Sequence, residues 1–279
     1  MARPRPAALV WRVALHLFLA TGALLMALPF IWMVLSSFKD ISQVFVVPPT
    51  WWPSPAHPEN LANAWNALPF ARAYLNSAYI TVTIVVVQLL TCAMAAYAFA
   101  RIRFPFRGGL FVLFLATLMV PSQLTVIPLY LIMKWIGWLD THWAIIVPAA
   151  LFNAFGVFML RQFIKGIPVT LEEAAIVDGA SRWTVFWHIV LPLLRAPLAA
   201  LGIFSFLAQW NNFFGPLIFL STPEKFTVPL LVAQFKGQYT TDFPLMMAAA
   251  SIAVVPVLVV FVLGQRYIVE GIALTGVTR

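Results

Sequence analysis

Ala78-Tyr-Ile-Thr-Val-Thr-Ile-Val-Val-Val-Gln-Leu-Leu-Thr-Cys-Ala-Met-Ala-Ala-Tyr-Ala-Phe-Ala100 runs for 23 residues without one charged side chain. A helix of about 20 residues crosses the roughly 30 Å hydrocarbon layer of a bilayer, so this stretch is long enough to span one. Working outward from it, five further apolar stretches pass the same test: residues 11–34, 109–133, 143–160, 196–220 and 245–267. The expected fold is therefore an all-α membrane protein with six transmembrane helices. Pro121, Ser122, Gln123 and Pro128 interrupt the third span. A kink or a broken helix is expected there, tolerated where a neighbouring helix or a wet cavity takes up the freed backbone groups.

The composition agrees. Of 279 residues, 62% are hydrophobic and 9% charged, against roughly 45–50% and about 25% in soluble domains. So apolar a chain cannot cover itself with polar surface, and bilayer is its natural solvent. Nothing marks off a soluble module, so residues 1–279 read as a single transmembrane domain. The first apolar run exceeds the roughly 7–15-residue core of a cleavable signal and reads as a retained span. Cys92 is the one cysteine, which excludes an intrachain disulfide framework. His16, His57, His142 and His188 are scattered, and no metal site is expected.

Six spans put both termini on one side, and the charges choose which. Twelve of the 17 basic residues fall on the side of the termini: Arg3, Arg5, Arg12, Arg101, Arg103, Arg107, Arg161, Lys165, Arg182, Arg195, Arg266 and Arg279. Lys39, Arg72, Lys134, Lys225 and Lys236 lie on the other. By the positive-inside rule the first side is cytoplasmic. The net charge of +8 is then a topology signal, and no nucleic-acid partner is needed to explain it. The outer loop, residues 36–76, is rich in Pro and Trp. It reads as a rigid external cap, either a docking surface for an external partner or an ordered loop without one.

Between spans four and five lies a longer cytoplasmic segment, residues 168–192: PVTLEEAAIVDGASRWTVFWHIVLP. Thr170 is a good N-cap and Glu173 completes a capping box. Gly179 can adopt the left-handed conformation that ends a helix. Ser181 can cap a second helix, and Pro192 disfavours its continuation. Ala174, Ala175, Gly179 and Ala180 are small enough for the backbone to seat deep in a partner's groove.

Glu173-Ala174-Ala175, Gly179, Ile189 and Leu191-Pro192, at these spacings, resemble the EAA signature of ABC importer permeases. The resemblance extends over nearly the whole chain. Asn76-Ser77, Ala96 to Arg101, Pro121-Ser122-Gln123, Ile127 to Tyr130, Trp210 to Phe213 and Pro216 to Ile218 look like the sugar-importer, maltose-type branch. The tail, Gly271 to Val277, is similar to the family's glycine-containing C-terminus, although it ends in Thr278-Arg279. Family members often carry an acidic residue near Asn212; here it is neutral.

The resemblance implies a multi-pass protein of a prokaryotic plasma (inner) membrane. It implies a cytoplasmic dimer of ATPase subunits, a second homologous permease subunit and an extracytoplasmic solute-binding protein as partners. The segment's helices would dock into the ATPase through Glu172, Glu173, Ala174, Ala175, Asp178, Gly179, Ala180, Ile189, Leu191 and Pro192. For Glu172 and Asp178, read from the residues alone, a solvated face stands beside that contact. No Gly-x4-Gly-Lys-Ser/Thr pattern occurs, so ATP would be bound by the partner and this chain needs no cofactor.

A sugar pathway calls for neutral hydrogen-bonding groups and aromatic faces. Gln88, Asn153, Ser205, Gln209, Asn211 and Asn212 are the intramembrane polar candidates, with Trp210 and Phe206 as stacking surface. Interhelical hydrogen bonding is the rival role, above all for Gln88 and Asn153. The nine carboxylates all fall in loops or at span ends. That speaks against a catalytic constellation and against a proton-coupled carrier. A permease for glycerol phosphate, polyamine or phosphate, or an ion-coupled carrier, is the alternative.

Overall fold

A computed structural model describes residues 6–236 and 242–273. Arg3, Arg5 and the end of the tail, Leu274 to Arg279, lie outside the described residues. Among the described residues the structure is all-helical, in two compact units.

The first unit holds α1 (Pro6–Ser37), α2 (Ile41–Val44), α3 (Glu59–Ala67) and the N-terminal part of a long last helix. The Pro- and Trp-rich loop is ordered, as its composition implies. Lys39 is buried, donates to the Thr50 carbonyl and lies 4.1 Å from the centre of the Trp32 ring. Trp51 meets Trp32 edge to face at 5.2 Å. Asn60 Nδ2 donates to the carbonyls of Ser37 and Lys39, which pins α3 to the end of α1.

The second unit is built on α4 (Phe70–Arg101), flanked by α5 (Arg107–Ala116), α6 (Ser122–Trp135), α7 (Trp143–Leu151) and α8 (Ala154–Gly166). Then come α9 (Thr170–Val177), α10 (Arg182–Val185), α11 (Leu191–Leu193), α12 (Arg195–Trp210), α13 (Phe214–Phe219) and α14 (Val228–Ala233). The last helix, α15 (Phe243–Ala273), closes the described chain. Two apolar clusters lie along α4. One gathers Ile80, Ile84, Met133, Ile145 and Phe219. The other gathers Cys92, Ala96, Val157, Leu160, Phe186 and Leu201. Small residues let the helices close up: a Cβ on Gly156 would stand 2.9 Å from Cys92 Sγ and 3.0 Å from Leu201 Cδ2. Without a solvent-driven hydrophobic term in lipid, such close packing is what holds helices together.

Among the described residues four helices are long and apolar enough to cross a membrane: Val10–Ser37, Phe70–Arg101, Trp143–Gly166 and Phe243–Tyr267. Two bent pairs raise the number to six if each is one span. The first, Arg107–Met119 with Gln123–Trp135, turns by 104°. The turn falls at Pro121 as expected, because Pro121 has no N–H for the ladder and drives Val120 into extended backbone, ψ 115°. Pro128 sits inside α6 without ending it.

The fourth expected span, residues 143–160, is found as Trp143–Gly166, with the backbone opening at Phe152 and Asn153. Two expectations need correction. Residues 196–220 are likewise broken after Trp210, and α13 begins at Phe214. Nor does Pro192 stop the second helix of the cytoplasmic segment. The chain widens into a π turn at Phe186–Val190, where the Leu191 N–H reaches back to the Phe186 carbonyl. That wider turn carries the proline ring, and the bend of 74° comes after Leu193.

Candidate functional site

The first candidate site is the segment from α9 to α11. Its helix start differs from the capping-box reading. Val169 is the cap, and Thr170 already lies inside the first turn with no side-chain cap bond. The leading N–H groups of Glu172 and Glu173 bond to the Val169 carbonyl. The helix end is as the glycine implies. Gly179 has φ +88°, its N–H bonds to Ile176 O at 3.0 Å, and the Ala180 N–H reaches Ala175 O at 2.9 Å. This is a full Schellman closure. Ser181 Oγ then accepts the Thr184 N–H at 3.1 Å and starts α10.

Glu173, Ala174, Asp178 and Gly179 are exposed; Ala175 and Ala180 are half-buried. Ile189 and Leu191 pack partly into the bundle with Pro192 beside them, and serve as internal packing as much as surface. Glu172 corrects the sequence reading. It is neither solvated nor free for a partner, at 5% exposure. Its Oε1 lies 2.5 Å from Arg101 Nε and its Oε2 accepts from the Tyr97 hydroxyl at 3.3 Å. Helix periodicity could not show this, since Arg101 stands 71 residues away. Missed altogether is the apolar surface of α9, where Val177 is 86% exposed beside exposed Ile176 and Leu171. Its signal was the apolar pair Ile176-Val177 in a segment read for its caps and small residues.

The second candidate site is a cavity of about 460 Å³ lined by Gln123, Thr125, Leu129, Pro148, Phe152, Asn212, Gly215 and Phe214 among others. Three helix breaks converge on it: Gln123 follows the α5–α6 break, Phe152 lies at the α7–α8 break and Asn212 at the α12–α13 break. Asn212 Oδ1 accepts the Gly215 N–H at 3.1 Å. Gln123, Thr125 and Phe152 were not among the sequence candidates. For Gln123 and Thr125 the signal was the Pro121 interruption, expected as a kink or a broken helix but not weighed as a solute site.

The remaining candidates divide. Ser205 and Gln88 are buried and bonded to each other, the Ser205 hydroxyl donating to Gln88 Oε1. Asn153 Oδ1 accepts the Gly156 N–H at 2.8 Å and caps α8. Asn211 Nδ2 donates to the Leu207 carbonyl at 2.9 Å on an exposed face. Trp210 is buried and stacks on Phe206 at 5.6 Å. Gln209 Oε1 is buried with no hydrogen-bond partner among the described residues. None of these residues lines the cavity with Asn212.

At the far end of the second unit from α9, Asp140 accepts hydrogen bonds from the Thr222 hydroxyl, the Ser221 and Thr222 N–H groups and the Lys225 ammonium. These hold its carboxyl far below the usual aspartate range, the Thr222 hydroxyl contributing most. Asn76 Nδ2 donates to the carbonyls of Glu224 and Phe226 at the same end.

Residues 88–273 match the family model for the binding-protein-dependent transport system inner membrane component. The chain is 32% identical to the diacetylchitobiose uptake system permease protein NgcG of Streptomyces coelicolor, over 92% of this chain and 86% of that one. It is 33% identical to the lactose transport system permease protein LacG of Rhizobium radiobacter, over 91% and 92%. In fold it resembles a chain of a bacterial ABC transporter involved in the import of the acidic polysaccharide alginate. The TM-score is 0.82 at 21% identity, over 96% of this chain and 99% of that one.

Proposed function

This chain belongs to the family of binding-protein-dependent transport system inner membrane components, and on that premise we propose that it is the membrane subunit of an ATP-driven oligosaccharide importer. Relatives whose names specify diacetylchitobiose and lactose support the solute class. In this reading residues 1–279 form one permease domain with six spans, each bent pair counting as one, and both termini are cytoplasmic. It works with a cytoplasmic ATPase dimer, a second permease subunit and an external binding protein.

The observation that carries the reading is the exposed surface of α9. A helix closed by its own glycine turn presents Glu173, Ala174, Asp178, Gly179 and Val177 at one end of the second unit. Exposed apolar side chains among small residues suit a groove on a partner, and a lone surface helix of this size has no stability of its own to offer. Arg101 bonds to the carbonyls on either side of Lys165 and shares the surroundings of Tyr97 with Arg182, so basic residues from three segments gather at that end, which supports a cytoplasmic assignment. Asp140, Lys225 and Asn76 then face outward.

The solute pathway is assigned to the cavity where three helices break. Discontinuous helices are where transporters place their sites, because unwound backbone supplies polar groups at membrane depth. Gln123 and Asn212 offer amides for sugar hydroxyls, and Phe152 and Phe214 offer faces for sugar rings. Closure of the ATPase dimer moves α9 as a rigid body and opens this cavity to the outside.

The reading is tested in proteoliposomes holding the complete complex. Uptake of a labelled disaccharide is expected to need both internal ATP and external binding protein. Uptake driven by an ion gradient without ATP would overturn it and favour the carrier.

A further inference from the structure

The geometry points to Arg101 and Glu172 as a buried ionic latch through which the coupling helix is held to the bundle. They are positioning residues for energy transfer. The inference rests on the importer reading above and adds the route by which α9 drives the membrane helices.

Arg101 Nε and Nη2 and both carboxylate oxygens of Glu172 have partners. Arg101 Nε meets Glu172 Oε1 at 2.5 Å, with 10% and 6% of the two side chains exposed. Arg101 Nη2 donates to the carbonyls of Ile164 and Ile167, at 2.8 and 2.6 Å. Those carbonyls belong to the end of α8, where the last turn of any helix lacks partners. The Tyr97 hydroxyl, one turn back along α4, takes the other carboxylate oxygen. One guanidinium thus joins α4, the end of α8 and the start of α9.

Such a pair is a poor device for stability alone, since taking two charges out of water costs about what their attraction returns. It is a good device for fixing position, because losing either partner strands a buried charge. Position is what α9 needs. Its inward face holds Ala175, a small side chain that grips weakly, while its outward face carries the docking residues. Among the described residues the latch contains the one side-chain ion pair linking the segment to the spans. A pull on α9 therefore reaches α4, the helix along which both apolar clusters lie.

The test uses the whole importer in proteoliposomes and reads ATP hydrolysed per sugar imported. Glu172→Gln keeps the volume and removes the charge. Arg101→Met removes the guanidinium, and Arg101→Lys keeps the charge. Glu172→Gln and Arg101→Met are expected to raise the ratio about tenfold, the scale of an ordinary coupling free energy. Arg101→Lys should recover part of it, and the double variant Arg101→Met with Glu172→Gln should be no worse than the worse single.

A wild-type ratio in Glu172→Gln and Arg101→Met complexes overturns the latch. If Arg101→Met does not assemble, Glu172→Gln and Arg101→Lys decide it: a raised ratio in the first with recovery in the second sustains the proposal. Equal ratios in those two overturn it. A wild-type complex that imports no sugar with ATP contradicts the importer reading itself, and the latch with it.

Discussion

Gln88 Nε2 donates to the Ala149 carbonyl at 2.7 Å, and so closes from α4 a backbone group that α7 leaves open. Thr91 does the same, its Oγ1 donating to the Ala150 carbonyl at 3.0 Å, while Cys92 Sγ lies 3.6 Å from the Asn153 carbonyl, which already accepts the Val157 N–H as α8 begins. The opening of the chain at Phe152 and Asn153 frees carbonyls that lipid cannot satisfy, and one face of α4 satisfies them. Gln88 is the more committed of the two, because it also accepts from Ser205 on α12.

Gln88→Leu is expected to cost about 1–2 kcal/mol, since it leaves the Ala149 carbonyl and the Ser205 hydroxyl unpaired in the bundle. Ser205→Ala should cost less, about 0.6 kcal/mol, the mean for such bonds between membrane helices. Thermal unfolding in detergent reads both. The solute concentration for half-maximal uptake should stay unchanged, because neither residue lines the cavity.

Gly156→Val should be more damaging, by about 1–3 kcal/mol as an overpacked contact. A Cβ there already meets Cys92 Sγ and Leu201 within 3.0 Å. Lowered unfolding temperature with loss of monodisperse complex is the expected result, and pairing it with Leu201→Ala should restore part of the loss.

At the cavity, Asn212→Ala should raise the sugar concentration needed for half-maximal uptake. Asn212→Asp keeps an acceptor for the Gly215 N–H, so it separates the cap from the pathway role. Equal uptake constants in wild type and both variants would remove Asn212 from the pathway.

Stability should also depend on pH through Asp140. Its folded-state pKa is depressed below the ordinary 3.8, so its contribution is full above about pH 4 and is lost as pH falls toward the folded value. In that window the unfolded chain takes up the proton first. Asp140→Asn should lower the unfolding temperature at neutral pH and flatten the acid limb of the wild-type profile.

How much of this could be read beforehand depended on range. The break at Pro121 was legible because proline acts locally, through a missing N–H and a ring clash. The Gly179 turn was legible for the same kind of reason. The breaks at Asn153 and Asn211 to Phe213 were not, because both lie in continuous apolar runs and the asparagines were weighed as pathway or helix-glue residues. Each has a local signal that capping chemistry supplies: Asn153 precedes Gly156 by three, and Asn212 precedes Gly215 by three. The burial of Glu172 had no local signal at all. A carboxylate in a capped first turn looks solvated until a distant arginine is folded against it. The cavity-lining Gln123 and Phe152 were hidden likewise, since only tertiary packing brings three separate breaks together.

The central claim is that this chain couples ATP hydrolysis by a partner to solute movement through α9. Gly179→Asp tests it most directly. An aspartate at φ +88° is strained by about 1–2 kcal/mol and sets a charge on the docking turn. In reconstituted complexes, ATP-driven sugar uptake should fall at least tenfold, on the scale of a coupling energy, while the variant still inserts and pairs with the second permease. Wild-type uptake per ATP in the Gly179→Asp complex would contradict the account.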